Sequence, residues 1–271
     1  MVGDPESGIG ARSAAAKLNE ALTSLRNLAG VAEGERYFRY YGWARDSAFK
    51  LDGVITRTEI DRLIFTPAYY ALLSSGSPDW GPTAGTVEMV MRRAETELRA
   101  TIESLQSTSQ RWTAPGRLIV ADTNVYLHGP GLGEFSAKTL IGEDVPARLL
   151  VPMIVIDELD ALKNRGEKDR RQAARQALKM IEQALDESPA MSGELTVRPG
   201  RSRLAIEVVP DPPGRLRLPV ADDEIVDRAA YFERLAGRKV VISTLDTGMT
   251  MRCRNLRIES RTPEVTAKTS V

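Results

Sequence analysis

Hydrophobic residues in the first 115 positions recur at three- and four-residue steps, the spacing of amphipathic helices. The longest stripes lie in residues 11–31 and 86–106, and a shorter helix is predicted near 60–73. A stripe of this kind needs an apolar partner surface. The pattern therefore predicts an all-α N-terminal region over 1–115. We expect the two long stripes to pair as a coiled or bundled hairpin that supports homo-oligomerisation.

After Gly116 the pattern changes to short apolar runs that end in polar residues, as buried parallel strands do. Such runs occupy 117–124, 148–151 and 239–246, and helical spacing separates them. Strand and helix in alternation predict an α/β class, a three-layer domain with a small, mostly parallel sheet. We place this domain at residues 117–262 and expect 263–271 to form a flexible tail.

Composition narrows the chemistry that this domain could carry. The 271 residues include 37 Lys plus Arg and 37 Asp plus Glu, so the formal net charge is zero. This excludes a strongly basic protein of the histone or ribosomal kind, but it does not exclude a locally basic groove. A lone cysteine, Cys253, and a lone histidine, His128, exclude disulfide frameworks and His- or Cys-rich metal sites. Any bound metal would need carboxylate ligands, which suit Mg²⁺ or Mn²⁺.

Acidic residues fall where predicted strands end or helices begin. Asp122 and Asp246 each follow an apolar strand, Asp222 opens a helix, and Glu158 lies about one turn into the helix after 148–151. Ligands of open parallel sheets bind at the carboxyl ends of the strands. Four carboxylates close together would repel one another unless a divalent cation joined them. The pattern therefore predicts a Mg²⁺ or Mn²⁺ site that also takes substrate phosphates.

Five segments now resemble, in order and spacing, the successive motifs of the PIN domain family, especially its PhoH-associated and related bacterial type. The segments are ADTNVYLH (121–128), VPMIVIDELDALK (151–163), RRQAARQALKMI (170–181), DDEI (222–225) and VVISTLDTGM (240–249). The resemblance covers roughly 117–262. It implies a metal-dependent ribonuclease fold with an acidic pocket.

The resemblance assigns a role to each acid. Asp122 matches the acid after the first strand, Glu158 the glutamate of the second motif, and Asp246 the fourth acid. Asp222 matches the third acid, with Asp223 as the alternative. The resemblance therefore implies four catalytic acids: Asp122, Glu158, Asp222 and Asp246. The candidate metal ligands that it implies are the aspartates Asp122, Asp222, Asp223 and Asp246.

Two polar residues match family positions that brace the acids: Asn124 and Thr244. One departure is a hairpin-like segment at 194–210, which lengthens the route to Asp222. Helix capping is the competing explanation for Asp122 and Asp222, because aspartate is a preferred N-cap. If Asp222 only caps its helix, Asp223 becomes the ligand. For Glu158 the competing explanation is a solvated acidic helix face.

Basic residues after Glu158 are candidates for contact with RNA phosphates: Lys163, Arg165, Arg170 and Arg171. The competing explanation is a solvated helix face with i,i+3 and i,i+4 ion pairs.

These features together predict a metal-dependent endoribonuclease that cuts single-stranded or loop RNA, with DNA not excluded as a substrate. The alternatives are a non-catalytic PIN-like module that binds RNA or protein, and a toxin-type PIN ribonuclease. Neither a signal pattern nor an apolar run of membrane-spanning length occurs, so we expect a cytoplasmic protein with no membrane partner.

Overall fold

The structure is a computed structural model that describes residues 5–6, 9–75, 84–130, 132–165, 167–185, 192–195, 204–211 and 215–264. Two compact units make up the chain. The first is Met1–Thr113 with Arg234–Gly237, and the second is Ala114–Glu233 with Arg238–Val271.

The N-terminal unit is helical throughout its described elements. Its helices are α1 (Ala11–Asn27), α2 (Glu33–Leu51), α3 (Arg57–Leu63), α4 (Pro67–Ser75) and α5 (Ala84–Trp112). The single helix predicted near 60–73 is wrong, because α3 ends before Pro67 and α4 begins at it. Proline has no backbone N–H and clashes with the preceding turn, so it suits the first position of a helix rather than the interior.

The two long apolar stripes pack against each other within the chain. Helices α1 and α5 are in contact, and Leu18 of α1 and Leu98 of α5 are completely buried. Leu22 and Leu25 of α1 and most of the α5 stripe are also buried. The surfaces that we expected to support oligomerisation are therefore already covered inside one chain, and oligomerisation is left without support.

The second unit alternates strands and helices. Its strands are β1 (Arg117–Ala121), β2 (Ala147–Pro152), β3 (Ser192–Leu195), β4 (Leu204–Val209), β5 (Val240–Ser243) and β6 (Glu259–Arg261). Its helices are α6 (Thr123–His128), α7 (Ala137–Ile141), α8 (Met153–Leu162), α9 (Lys168–Leu185), α10 (Ala221–Ala236, whose last three residues belong to the first unit) and α11 (Thr247–Asn255).

The strands form one sheet in the order β3-β4-β2-β1-β5-β6. Five of the six are parallel, and β3 pairs with β4 in the antiparallel sense at one edge. The predicted α/β class with a mostly parallel sheet after a helical N-terminal region is confirmed. The antiparallel pair overlaps the hairpin-like segment that we placed at 194–210 but begins two residues earlier, and 196–203 are outside the described residues.

Two features at the C-terminal end were not predicted. Strand β6 is only three residues long and follows α11 directly. Beyond it, Pro263 is buried and the backbone N–H of Glu264 donates to the carbonyl oxygen of Thr139 at 2.8 Å. The start of the predicted flexible tail is therefore packed on the domain, and residues 265–271 lie outside the described part.

The central strands are apolar and buried, as parallel strands in the middle of a sheet must be. The four residues of β5 and the last four of β1 are each at most 3% exposed. Polar residues that follow these strands consequently emerge together at the carboxyl edge of the sheet. Among the described residues, no helix is long and apolar enough to cross a membrane.

Candidate functional site

The candidate site lies where β1 and β5 end. These neighbours are parallel and in register, with Ala121 opposite Ser243. The pairing extends one residue further, because the backbone N–H of Asp122 donates to the carbonyl oxygen of Ser243 at 3.1 Å. The strand register therefore brings Asp122 next to Thr244, although 122 residues separate them in the chain.

Asp122 is a buried acid, only 2% exposed. It caps α6, with its Oδ1 accepting from the backbone N–H of Val125 at 3.0 Å, and its Oδ2 accepts from the Thr244 hydroxyl. Burial raises the pKa of this carboxyl above its usual range, hydrogen bonds from Thr244, Val125 and Asn124 oppose the rise, and the charge of Asp222 adds to it. An ionised Asp122 is thus costly here, and a nearby cation would stabilise it.

Thr244 links two of the predicted acids. Its Oγ1 donates to the Asp122 carboxylate and accepts from the backbone N–H of Asp246 at 2.9 Å. Asp246 in turn caps α11, its Oδ1 accepting from the N–H of Gly248 at 2.6 Å. Thr244 thus lies where the resemblance expects a bracing residue. Asn124 differs, because its side chain is exposed and its hydrogen bond to Asp122 comes from the backbone.

Glu158 is held by a residue that was not among the predicted site residues. The hydroxyl of Thr123, the residue after Asp122, donates to Glu158 Oε2 at 2.6 Å. The acids beside Glu158 are paired: Asp157 contacts Arg217 at 2.5 Å, and Asp160 forms an ion pair with Lys163. The solvated acidic face, the competing explanation for Glu158, describes Asp157 and Asp160, which are exposed, whereas Glu158 is half-buried and hydrogen-bonded.

The third acid requires a correction. Asp222 does not open its helix, because α10 begins at Ala221 and the carbonyl oxygen of Val220 already accepts from the N–H of Glu224 at 3.0 Å. Asp222 and Asp223 both lie in the first turn, where acidic side chains interact favourably with the helix dipole. Asp222 is therefore not the N-cap of α10, and its carboxylate is free of that role. Its negative charge raises the pKa of Asp122.

An arginine lies among these acids. Arg252 of α11 places its Nε 2.8 Å from Asp223 Oδ1 and its Nη1 3.5 Å from Asp222 Oδ2. A Cβ atom built on Gly248 would lie 3.1 Å from the same Nη1 and 3.2 Å from Asp246 Oδ1. The missing side chain at Gly248 thus leaves room for the guanidinium and for Asp246, the cap of α11.

The side chains at this site are of the kind that binds a divalent cation, but they are not gathered around one point. All the candidate ligands are carboxylates, and the guanidinium among them shows that this edge of the sheet attracts positive charge. Within the part of the chain that the structure describes, however, no three His, Cys, Asp or Glu side chains stand close enough together to hold a metal ion. The predicted acids are joined in pairs, through Thr244 and through Arg252, rather than gathered at one point.

The basic candidates lie on and before α9, which packs against the site helices α6 and α8. Arg165, Arg170 and Arg171 are exposed, whereas Lys163 is half-buried and paired with Asp160. A groove of about 420 Å³ is lined by Lys168, Arg171, Gln172 and Arg175. The solvated-face explanation and a phosphate-binding role are both compatible with this exposure.

A larger groove, of about 550 Å³, runs along α8 and α9. Its lining is mainly apolar, with Met153, Ile156, Leu178 and Ile181 among its residues. None of the four predicted acids lines it, so this groove is separate from the acidic edge of the sheet.

Comparison with known families supplies independent evidence. The family model of the PIN domain matches residues 119–264, and a comparison with curated proteins returns no match. The matched segment takes in 146 of the 271 residues and includes Asp122, Glu158, Asp222 and Asp246. Because the match covers more than half of the chain and the parallel sheet on which the acids are placed, the chain belongs to the PIN domain family.

Proposed function

We propose that the protein is a metal-dependent endoribonuclease that hydrolyses phosphodiester bonds of single-stranded or loop RNA. PIN domains are in general nucleases, which supports the reaction class. The observation that carries the proposal is the hydrogen-bonded link from Asp122 through Thr244 to Asp246, at the carboxyl ends of two adjacent parallel strands.

In this proposal Asp122, Asp222 and Asp246 hold Mg²⁺ or Mn²⁺, the type of ion that PIN nucleases typically use. Such an ion lowers the pKa of a water molecule and neutralises charge that develops on the phosphate. The raised pKa of Asp122 is consistent with this role, because a buried carboxylate with few charged partners gains most from a cation.

The remaining residues position these acids and the substrate. Thr244 orients the Asp122 carboxylate, and Thr123, the residue after Asp122, orients Glu158. The exposed basic residues of α9 would follow the RNA backbone, with Arg171 in the groove described above and Arg170 next to it. Lys163 is the weakest of the basic candidates, because its charge is already paired.

The direct test is cleavage of an end-labelled single-stranded RNA and a circular RNA in Mn²⁺. The wild type is expected to cut both, since only an endonuclease opens a circle, and to leave 5′-phosphate and 3′-hydroxyl ends. Asp122→Asn should lower the rate of cleavage by more than about 10–100-fold, which is the usual effect of removing a residue that only supports a metal ligand. The matched control is Asp144→Asn, an exposed acid before β2 and thus at the opposite edge of the sheet.

Equal cleavage by wild type and Asp122→Asn would refute the site assignment. A single-stranded DNA of the same sequence, cut as fast as the RNA, would refute the restriction to RNA.

The second candidate is a non-catalytic PIN-like module that binds RNA. The ion pairs of Arg252 with Asp222 and Asp223 favour it, because they neutralise acids that a nuclease would use for metal. A wild-type protein that retains labelled RNA on a filter without cutting it in Mn²⁺ would support this candidate over the nuclease.

A further inference from the structure

Arg252 holds the two acids of α10 unequally. Its Nε lies 2.8 Å from Asp223 Oδ1, a hydrogen-bonding distance, whereas its Nη1 lies 3.5 Å from Asp222 Oδ2. The first contact is a charge-assisted hydrogen bond, and the second is an ion pair without one. Asp223 is therefore the anchor of the arginine, and Asp222 is the acid that it holds more loosely.

The guanidinium lies close to the side of the site formed by α11 as well. Its Nη1 and the Asp246 Oδ1 lie 3.1 Å and 3.2 Å from the point where Gly248 would carry a Cβ, closer than an ordinary van der Waals contact. The same nitrogen thus pairs with Asp222 and has Gly248 as a neighbour in common with Asp246 Oδ1. Its positive charge lies among acids to which the proposed function assigns a divalent ion.

Two cations cannot share one carboxylate at this range without repelling each other. Mg²⁺ and Mn²⁺ also require a nearly complete shell of oxygen ligands, which a guanidinium nitrogen cannot supply. A divalent ion coordinated by Asp222 Oδ2 consequently competes with the Nη1 end of Arg252 for that oxygen. The bond to Asp223 can persist during this exchange, because it is made by a different nitrogen.

We propose that Arg252 is the internal counter-cation of the acidic site, and that metal uptake at Asp222 displaces its guanidinium. Arg252 thereby lowers the affinity of the site for divalent metal, and Asp223 retains the arginine rather than binding the ion. This inference rests on the proposed function only in taking the acidic edge of the sheet as the metal site.

Calorimetric titration of the full chain with Mn²⁺, in the absence of RNA, tests the exchange. Arg252→Gln removes the charge and is expected to lower the dissociation constant for Mn²⁺ at least about tenfold, equivalent to about 1.4 kcal/mol. The matched control is Arg254→Gln, which removes the same charge from an exposed residue of the same helix and should leave the constant within about threefold.

The rise in melting temperature on adding Mn²⁺ gives a second readout, and it should be larger for Arg252→Gln than for the wild type. If the glutamine variant does not fold, Arg252→Lys replaces it. Lysine keeps the positive charge but cannot hydrogen-bond two carboxylates at once as a guanidinium can. The affinity of the Arg252→Lys variant for Mn²⁺ should therefore rise by a smaller factor than that of Arg252→Gln.

A dissociation constant for Arg252→Gln within about threefold of the wild type would overturn the inference, and so would equal tightening by Arg254→Gln. The proposed metal site would still stand if the wild type bound Mn²⁺ and Asp122→Asn did not. Failure of the wild type and every Arg252 variant to bind Mn²⁺ would overturn both.

Discussion

Replacing Thr244 with valine tests the hydrogen-bonded centre of the site without relying on activity. Valine keeps the shape of threonine but lacks the hydroxyl, and Thr244 is 2% exposed, so water does not readily take its place. Two hydrogen bonds disappear: the one donated to the Asp122 carboxylate and the one accepted from the backbone N–H of Asp246.

The size of the effect follows from the two bonds. A hydrogen bond to a charged group contributes about 1.5–3 kcal/mol, and a partly buried N–H left unpaired costs about 1 kcal/mol or more. We therefore expect Thr244→Val to lower the free energy of unfolding by about 2–4 kcal/mol. For a cooperative unit of about 150–250 residues this corresponds to a fall in melting temperature of about 5–15 °C.

The loss should depend on pH in a definite direction. Burial already raises the pKa of Asp122, and the Thr244 hydrogen bond opposes that rise, so the valine variant should raise the pKa further. When the pKa of a carboxyl is higher in the folded than in the unfolded protein, the free energy of unfolding falls as pH increases through the folded-state pKa. The deficit of Thr244→Val should thus grow as Asp122 loses its proton with rising pH, and should shrink as acid protonates it.

Thermal and denaturant unfolding in EDTA at pH 7.5 and pH 4.5 would measure both effects. Thr244→Ser retains the hydroxyl and should recover most of the stability. Thr247→Val, an exposed position in the first turn of α11, should change it by no more than about 0.5 kcal/mol. A valine variant as stable as the serine variant, or a deficit that is the same at both pH values, would refute the reasoning.

Three further predictions use the same measurements. In EDTA at neutral pH, Asp122→Asn should have a melting temperature about 2–4 °C above that of the wild type, equivalent to about 1 kcal/mol. The reason is that an ionised buried carboxylate with a raised pKa lowers the stability of the folded state. A lower melting temperature would contradict this. Thr123→Val should slow RNA cleavage about 10–100-fold by releasing Glu158, while the free energy of unfolding falls by less than about 1.5 kcal/mol; undiminished cleavage would show that Glu158 needs no positioning. Leu98→Ala should cost about 2–5 kcal/mol of stability and leave the mass measured by light scattering unchanged, because Leu98 is buried inside one chain; a loss of mass would revive the oligomerisation prediction.

Much of the fold was predictable because its elements carry a local periodic signal. The strands β1, β2 and β5 are short apolar runs, and α1 and α5 show clear stripes, so each could be placed from its own residues. Strand β6 lacks such a signal, since it has three residues, two of them charged and none apolar. It is a strand because β5 offers it a parallel edge, which is a property of the assembled sheet.

The partner of an apolar stripe was not predictable from the stripe. Periodicity shows that a helix has a face to bury, but it does not say whether another chain or another helix of the same chain covers it. In this protein α1 and α5 cover each other, although their sequences are more than fifty residues apart.

By itself the sequence determined the class of fold, the family, and the positions of Asp122 and Asp246 after their strands, because these depend on runs of neighbouring residues. Only the tertiary structure decided what each acid contacts. Thr123 reaches Glu158 across 35 positions, and Arg252 reaches Asp223 across 29. Such contacts depend on how strands align and helices pack, and an arginine inside an acidic site has no local signature that distinguishes it from an arginine on the surface.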